Sequence, residues 1–82
     1  MEIRLIEQTI RRTIAGLCDL PEDCDSNADL YLDLGVPSVQ ALALLQELEE
    51  RFGVSIPDDR FVQATTIAKL VATLDEIVNC HV

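Results

Sequence analysis

Apolar residues recur three and four positions apart in three stretches of this chain. Ile3, Ile6, Ile10, Ile14 and Leu17 make the first stripe, with Glu7, Gln8, Arg11 and Arg12 on the other side. That spacing predicts an amphipathic helix over about 2–17, and Gly16, Asp19 and Pro21 are its stop signals. Leu42, Leu45, Leu48 and Phe52, with Val39 near the start, predict a second helix over about 38–52. Its exposed side is Gln46, Glu47, Glu49, Glu50 and Arg51, and Gly53 closes it. Ile67, Leu70, Val71, Leu74 and Ile77 predict a last helix capped by Thr65 or Thr66. Between these two, residues 54–57 read as an extended link. Asp58 or Asp59 then caps a brief helix through Gln63, with Phe61 and Val62 as its apolar residues.

Residues 18–37 form the one long connection. Twenty residues without regular structure are unusual inside a small domain, but Leu20, Leu30, Leu32 and Leu34 are available to pin this loop to a core. A turn of helix is expected after Ser26 or Asn27. Gly35 provides a permissive backbone point, and Pro37 pushes Val36 out of helical space. The fold class expected is all-α: a small four-helix bundle of three longer helices and one short one, with a long loop between helices 1 and 2. No repeat or internal boundary divides residues 1–82, so a single domain is expected.

Composition narrows what such a bundle does. Hydrophobic residues are 49% of the chain and aromatics only 4%, so the core is aliphatic and no ring platform for nucleic-acid bases is present. The net charge is −9, which repels phosphate backbones and anionic lipid alike. Residues 21–50 hold eight Asp and Glu and no Lys or Arg, a one-signed surface that steers basic partners. Cys18, Cys24 and Cys80 are odd in number and not spaced as C-x-x-C, which argues against a disulfide framework or a zinc site and fits a reducing cytoplasm. No leader pattern or run of about 18 apolar residues appears, so neither a signal peptide nor a membrane span is expected.

The segment Asp33-Leu34-Gly35-Val36-Pro37-Ser38-Val39 resembles the D-L-G-x-D-S-L attachment motif of acyl carrier proteins. Leu48-Glu49-Glu50-Arg51-Phe52-Gly53-Val54 followed by Ile56-Pro57-Asp58-Asp59 is similar to the same family's L-E-E-x-F-G-x-x-I-P-D signature. Thr65-Thr66-Ile67 resembles the opening of its last helix. Motif, spacing and the I-P-D link cover the whole chain in the family's order. The resemblance implies a non-catalytic carrier. A phosphopantetheinyl transferase moves 4'-phosphopantetheine from coenzyme A onto the Ser38 hydroxyl, and the arm's thiol then holds an acyl or aminoacyl group as a thioester. A loading ligase and a downstream synthase or transferase are the further partners implied, with the carrier acting as a monomer. A serine that starts a helix is exposed, and a phosphodiester there faces the positive end of the helix dipole. The docking residues implied are Asp33, Pro37, Val39, Gln40, Ala43, Glu49 and Glu50.

This chain departs from the family where the residue before the serine, usually Asp, is Pro37. Gln40 and Ala43 also stand where acidic residues are common. Both departures point away from a standard fatty-acid carrier and towards a specialised lipid or secondary-metabolite pathway. Other readings remain: an unmodified helical adaptor docking one helix face on a partner, and a calcium-responsive loop. Asp23, Asp25, Asn27 and Asp29 alternate like the start of an EF-hand, but Ala28 occupies its glycine position and Leu34 its bidentate glutamate position, so no metal site is expected. His81, the only histidine, is next to last, so a Ser-His-Asp arrangement with Ser38 has no support, and Cys80 beside it makes no ligand set. Cys18 and Tyr31 read as packing residues.

Overall fold

Helix α1 spans Ile3–Cys18 in the computed structural model, which describes residues 2–79. Ile6, Ile10 and Ile14 are buried as the stripe requires. Ile3 is not: it is exposed in the first turn, beyond the packed part of the helix. Thr13 is also buried, and its hydroxyl donates to the Thr9 carbonyl at 2.7 Å, which satisfies it on its own helix. Gly16 lies inside α1 rather than ending it. Asp19 ends it, in the left-handed conformation at φ 57°, a position short polar side chains tolerate.

Helix α2 covers Val39–Phe52, α3 Asp58–Gln63 and α4 Ile67–Val78. The three longer helices and the short one form the expected all-helical bundle. α1 packs on both α4 and α2, and α3 packs on α4. In α4 the Thr66 hydroxyl accepts the Lys69 amide at 3.1 Å, an ordinary N-cap. Ile67, Leu70, Val71 and Leu74 are buried and Ile77 is half-buried. In α3, Phe61 enters the core but Val62 faces solvent, because one turn of helix presents only one face to α4.

The stripe on α2 is rotated from the one expected. Leu44, Leu45 and Leu48 are buried, with Ala41 and Phe52 packed beside them. Leu42 is 63% exposed and Val39 83%. Residues 39–48 carry apolar side chains around most of the helix, so periodicity alone leaves its phase ambiguous.

The loop between α1 and α2 is held at several points. The Arg11 guanidinium donates to the carbonyls of Glu22 at 2.8 Å and Cys24 at 2.6 Å and pairs with Glu7 at 3.0 Å. The Ser26 carbonyl accepts the Ala68 amide at 3.0 Å. Leu30 is fully buried, and Leu20 and Leu34 pack against the core. Leu32, expected to help pin the loop, is 86% exposed, because it lies on the outer side of the turn that buries Leu30. No regular helix forms after Ser26 or Asn27. A hydrogen-bonded turn beginning at Asp29 stands in its place.

Candidate functional site

The chain approaches α2 along a backbone with little freedom. Gly35 sits at φ 73°, where a residue with a Cβ would be strained. Val36 is buried, and its amide donates to the Leu30 carbonyl at 2.9 Å. Pro37 follows, exposed, with its φ fixed by its ring. Ser38 is exposed at the head of α2.

Ser38 does not cap α2. Its backbone is helical, at φ −61° and ψ −26°, and its side chain makes no cap hydrogen bond. A capping serine needs extended backbone to swing its oxygen over the N2 or N3 amide. Here the Pro37 carbonyl accepts the Gln40 amide at 2.9 Å and the Ser38 carbonyl accepts the Ala41 amide at 3.1 Å. Backbone carbonyls therefore take the amides a cap would serve, and the Ser38 hydroxyl is left facing solvent. The first turn of α2 contains no acidic residue, so nothing there offsets the positive end of this 14-residue helix.

Pro37, Val39 and Gln40 adjoin Ser38 along the chain, and Asp33 stands five residues before it in the loop. The Asp33 carboxylate accepts the Asp29 amide at 2.9 Å. Gln40 and Ala43 are half-buried. Val39 and Leu42 are exposed on the first turns of α2 beside Ser38, and Leu32 is exposed in the loop that precedes it. Glu49 and Glu50 stand at the other end of α2, roughly 16 Å along the axis from Ser38 at about 1.5 Å per residue. Glu50 is exposed. Glu49 is half-buried and turned inward: its carboxylate accepts the amide of buried Ile56 at 2.8 Å. Its carbonyl accepts the Val54 amide at 3.2 Å, beside Gly53 at φ 65°.

Two other residues gain roles that periodicity did not reveal. Arg11, on the polar side of the α1 stripe, anchors the loop. Asp29 stood in the acidic run, yet its Oδ1 accepts the amides of Tyr31 and Leu32 at 2.9 Å each. Those bonds, the Leu32 amide first, hold its carboxyl below the usual aspartate range against a smaller opposing effect of burial. The signal available was an Asp two and three residues ahead of amides needing acceptors, the Asx-turn pattern.

Asp25 accepts the Asn27 amide at 2.9 Å, so both it and Asp29 spend carboxylate oxygens on backbone. Among the described residues, no group of three or more His, Cys, Asp or Glu is arranged to hold a metal ion. Cys18 and Cys24 are free thiols, both half-buried, and burial pushes the Cys18 thiol up, away from a reactive thiolate. Tyr31 packs against the core, and its burial pushes the phenol up. Cys80 and His81 lie outside the described residues. No helix described is long and apolar enough to cross a membrane.

A family model described as a phosphopantetheine attachment site matches residues 8–74. An acyl carrier protein of Zymomonas mobilis is 38% identical over 56 residues, covering 68% of this chain and 72% of that protein. The non-reducing polyketide synthase pkbA of Emericella nidulans is 28% identical over 76 residues, which is 93% of this chain but 3% of that protein's length. Among solved structures, the acyl carrier protein from Enterococcus faecalis superposes with a TM-score of 0.76 over 99% of this chain and all of that one, at 24% identity.

Proposed function

The chain belongs to the acyl carrier protein family, carriers rather than enzymes that hold a covalently attached 4'-phosphopantetheine, and from that premise we propose that Ser38 is its attachment residue. The observation that carries this is the Ser38 hydroxyl: exposed, without a cap hydrogen bond, at the head of α2. The residues present fit the group. A phosphodiester at Ser38 faces a helix N-terminus with no acid in its first turn, an interaction worth about 0.3–1 kcal/mol at an exposed site.

In the loading step the Ser38 oxygen attacks the phosphorus that carries the pantetheine in coenzyme A. A new P–O bond forms, the pyrophosphate bond breaks, and adenosine bisphosphate leaves. Among the described residues, no histidine or carboxylate hydrogen-bonds Ser38, so the hydroxyl proton goes to a base of the transferase. Once attached, the arm supplies a terminal thiol that carries a carboxylic acid as a thioester. The chain's own residues hold the attachment point outward and present a face to each partner.

That face combines apolar contact with acidic steering. Exposed Val39 and Leu42 offer the apolar part beside Ser38, with Pro37 where the family usually has Asp. Asp33 and Glu50 belong to the acidic part. Such a surface suits a transferase, a loading ligase for an acyl or aminoacyl group, and a downstream synthase of a specialised lipid or secondary-metabolite pathway. One carrier domain of this kind suits the cytoplasm, where coenzyme A is available.

Incubation with coenzyme A and a broad-specificity phosphopantetheinyl transferase, followed by intact mass measurement, tests the assignment. The wild type gains one phosphopantetheine and Ser38→Ala gains none. An adduct on Ser38→Ala sinks it.

Docking has a separate signature. Leu42→Glu removes exposed apolar surface without touching the core and raises KM for loading about tenfold, the size expected for about 1.4 kcal/mol of lost contact. Glu50→Lys lowers the association rate, and added salt shrinks its difference from wild type. Loading kinetics unchanged in both variants at low salt would remove α2 from the docking face.

A further inference from the structure

We infer that Asp29 is a positioning residue for the modification of Ser38, acting through a chain of backbone hydrogen bonds that ends two residues before the serine. The inference rests on Ser38 being the attachment residue. Pro37, Ser38 and Val39 are all exposed, so none of the three is itself fixed by burial. The nearest upstream anchor is Val36, whose amide is held by the Leu30 carbonyl at 2.9 Å. Leu30 is fully buried, and its own amide donates to the Thr65 carbonyl at 2.8 Å. The start of α4 thus holds Leu30, and Leu30 holds Val36.

Asp29 sets the turn that makes this relay close. Its carboxylate takes the Tyr31 and Leu32 amides. Its carbonyl takes the Asp33 amide at 2.9 Å and the Leu34 amide at 3.0 Å. Its own amide donates to the Asp33 carboxylate at 2.9 Å, and its backbone pairs with Thr66. Residues 29–34 therefore wind around one side chain, and Gly35 returns the chain to Leu30. Removing the Asp29 carboxylate strands two amides of this turn and frees the approach to Ser38. The carrier then presents its serine correctly only part of the time, and apparent affinity for the transferase falls by that fraction. The rival account is that α2, buried through Leu44, Leu45 and Leu48, holds Ser38 unaided.

The test uses the full chain, the same transferase and coenzyme A, with kcat and KM measured for the carrier. Amide hydrogen exchange is followed at Leu30, Leu32 and Val36 against Ile10 and Leu74 as core references. Asp29→Ala is expected to raise KM about tenfold with kcat within about twofold, as for a competent state reduced to about a tenth. Among the amides followed, exchange should speed up at Leu30, Leu32 and Val36 and stay unchanged at Ile10 and Leu74. Asp29→Asn keeps an oxygen acceptor and restores KM to within about threefold of wild type, whereas Asp29→Glu keeps the charge but displaces the acceptor and behaves like Asp29→Ala. If Asp29→Ala does not fold, the Asn and Glu variants carry the comparison. Asn as impaired as Glu, or faster exchange at Val36 with unchanged KM, overturns the inference. A wild type that takes no phosphopantetheine overturns the attachment reading itself, a result distinct from either.

Discussion

Leu48→Ala lowers the unfolding free energy by about 2–5 kcal/mol, the range for emptying a packed leucine site. A domain of 82 residues has roughly 4–12 kcal/mol in total, so this one change removes a large part of it. Leu48 is fully buried on α2, the helix that carries Ser38, and α2 packs on α1. The contrast with its neighbour makes the result diagnostic. Leu42→Ala, six residues earlier on the same helix, changes stability by no more than about 0.5 kcal/mol because Leu42 is already in solvent. Chemical denaturation of the two variants measures both values. Equal losses would mean that α2 is rotated from the orientation described, and that Leu42 is not available to a partner.

The second large effect separates two adjacent glutamates. Glu49→Ala destabilises the chain by about 1–3 kcal/mol, because the Ile56 amide loses a charged acceptor in a partly buried setting. Glu50→Ala stays within about 0.5 kcal/mol. Glu49 is therefore a bracket at the C-terminal end of α2. Its carbonyl accepts the Gly53 and Val54 amides, and its carboxylate fastens the Ile56-Pro57 link that leads into α3. A sequence pattern of two exposed acids hides this difference, and a charge reversal at both positions would confuse lost docking with lost stability. A denaturation midpoint for Glu49→Ala equal to that of Glu50→Ala would remove the bracket.

The same pair shows which parts of the fold were legible in the chain and which were not. Helix existence and order followed from apolar spacing, and the ends marked by Gly53 and Thr66 followed from backbone and cap chemistry. Rotation about the helix axis was harder. Four leucines within seven positions, Leu42 to Leu48, support more than one buried stripe, and only packing against α1 selects among them. The exposure of Leu32 and Val62 is hidden for a related reason: a single turn has too few residues to show which side faces the core. Ser38 stands at the head of α2 but makes no capping bond, because its backbone is already helical and the Pro37 and Ser38 carbonyls serve the first amides. Side-chain-to-backbone bonds across long separations, such as Arg11 to Cys24, leave no periodic trace at all. Asp29 did leave a local one, masked by the acids around it.

The departures at Pro37, Gln40 and Ala43 bear on the docking surface proposed above, which puts exposed Val39 and Leu42 near the serine and exposed Glu50 at the far end of α2. Close contact and long-range steering would then fall to different ends of one helix.

Where the arm is attached decides the whole scheme, and the chain has three serines: Ser26, Ser38 and Ser55. Fragmentation mass spectrometry of the wild-type chain after loading with coenzyme A and a transferase locates the phosphodiester among them. Carriage through α2 predicts a single adduct, on the peptide containing Ser38 and on that residue. An adduct on Ser26 or Ser55, or none on any serine, would contradict it.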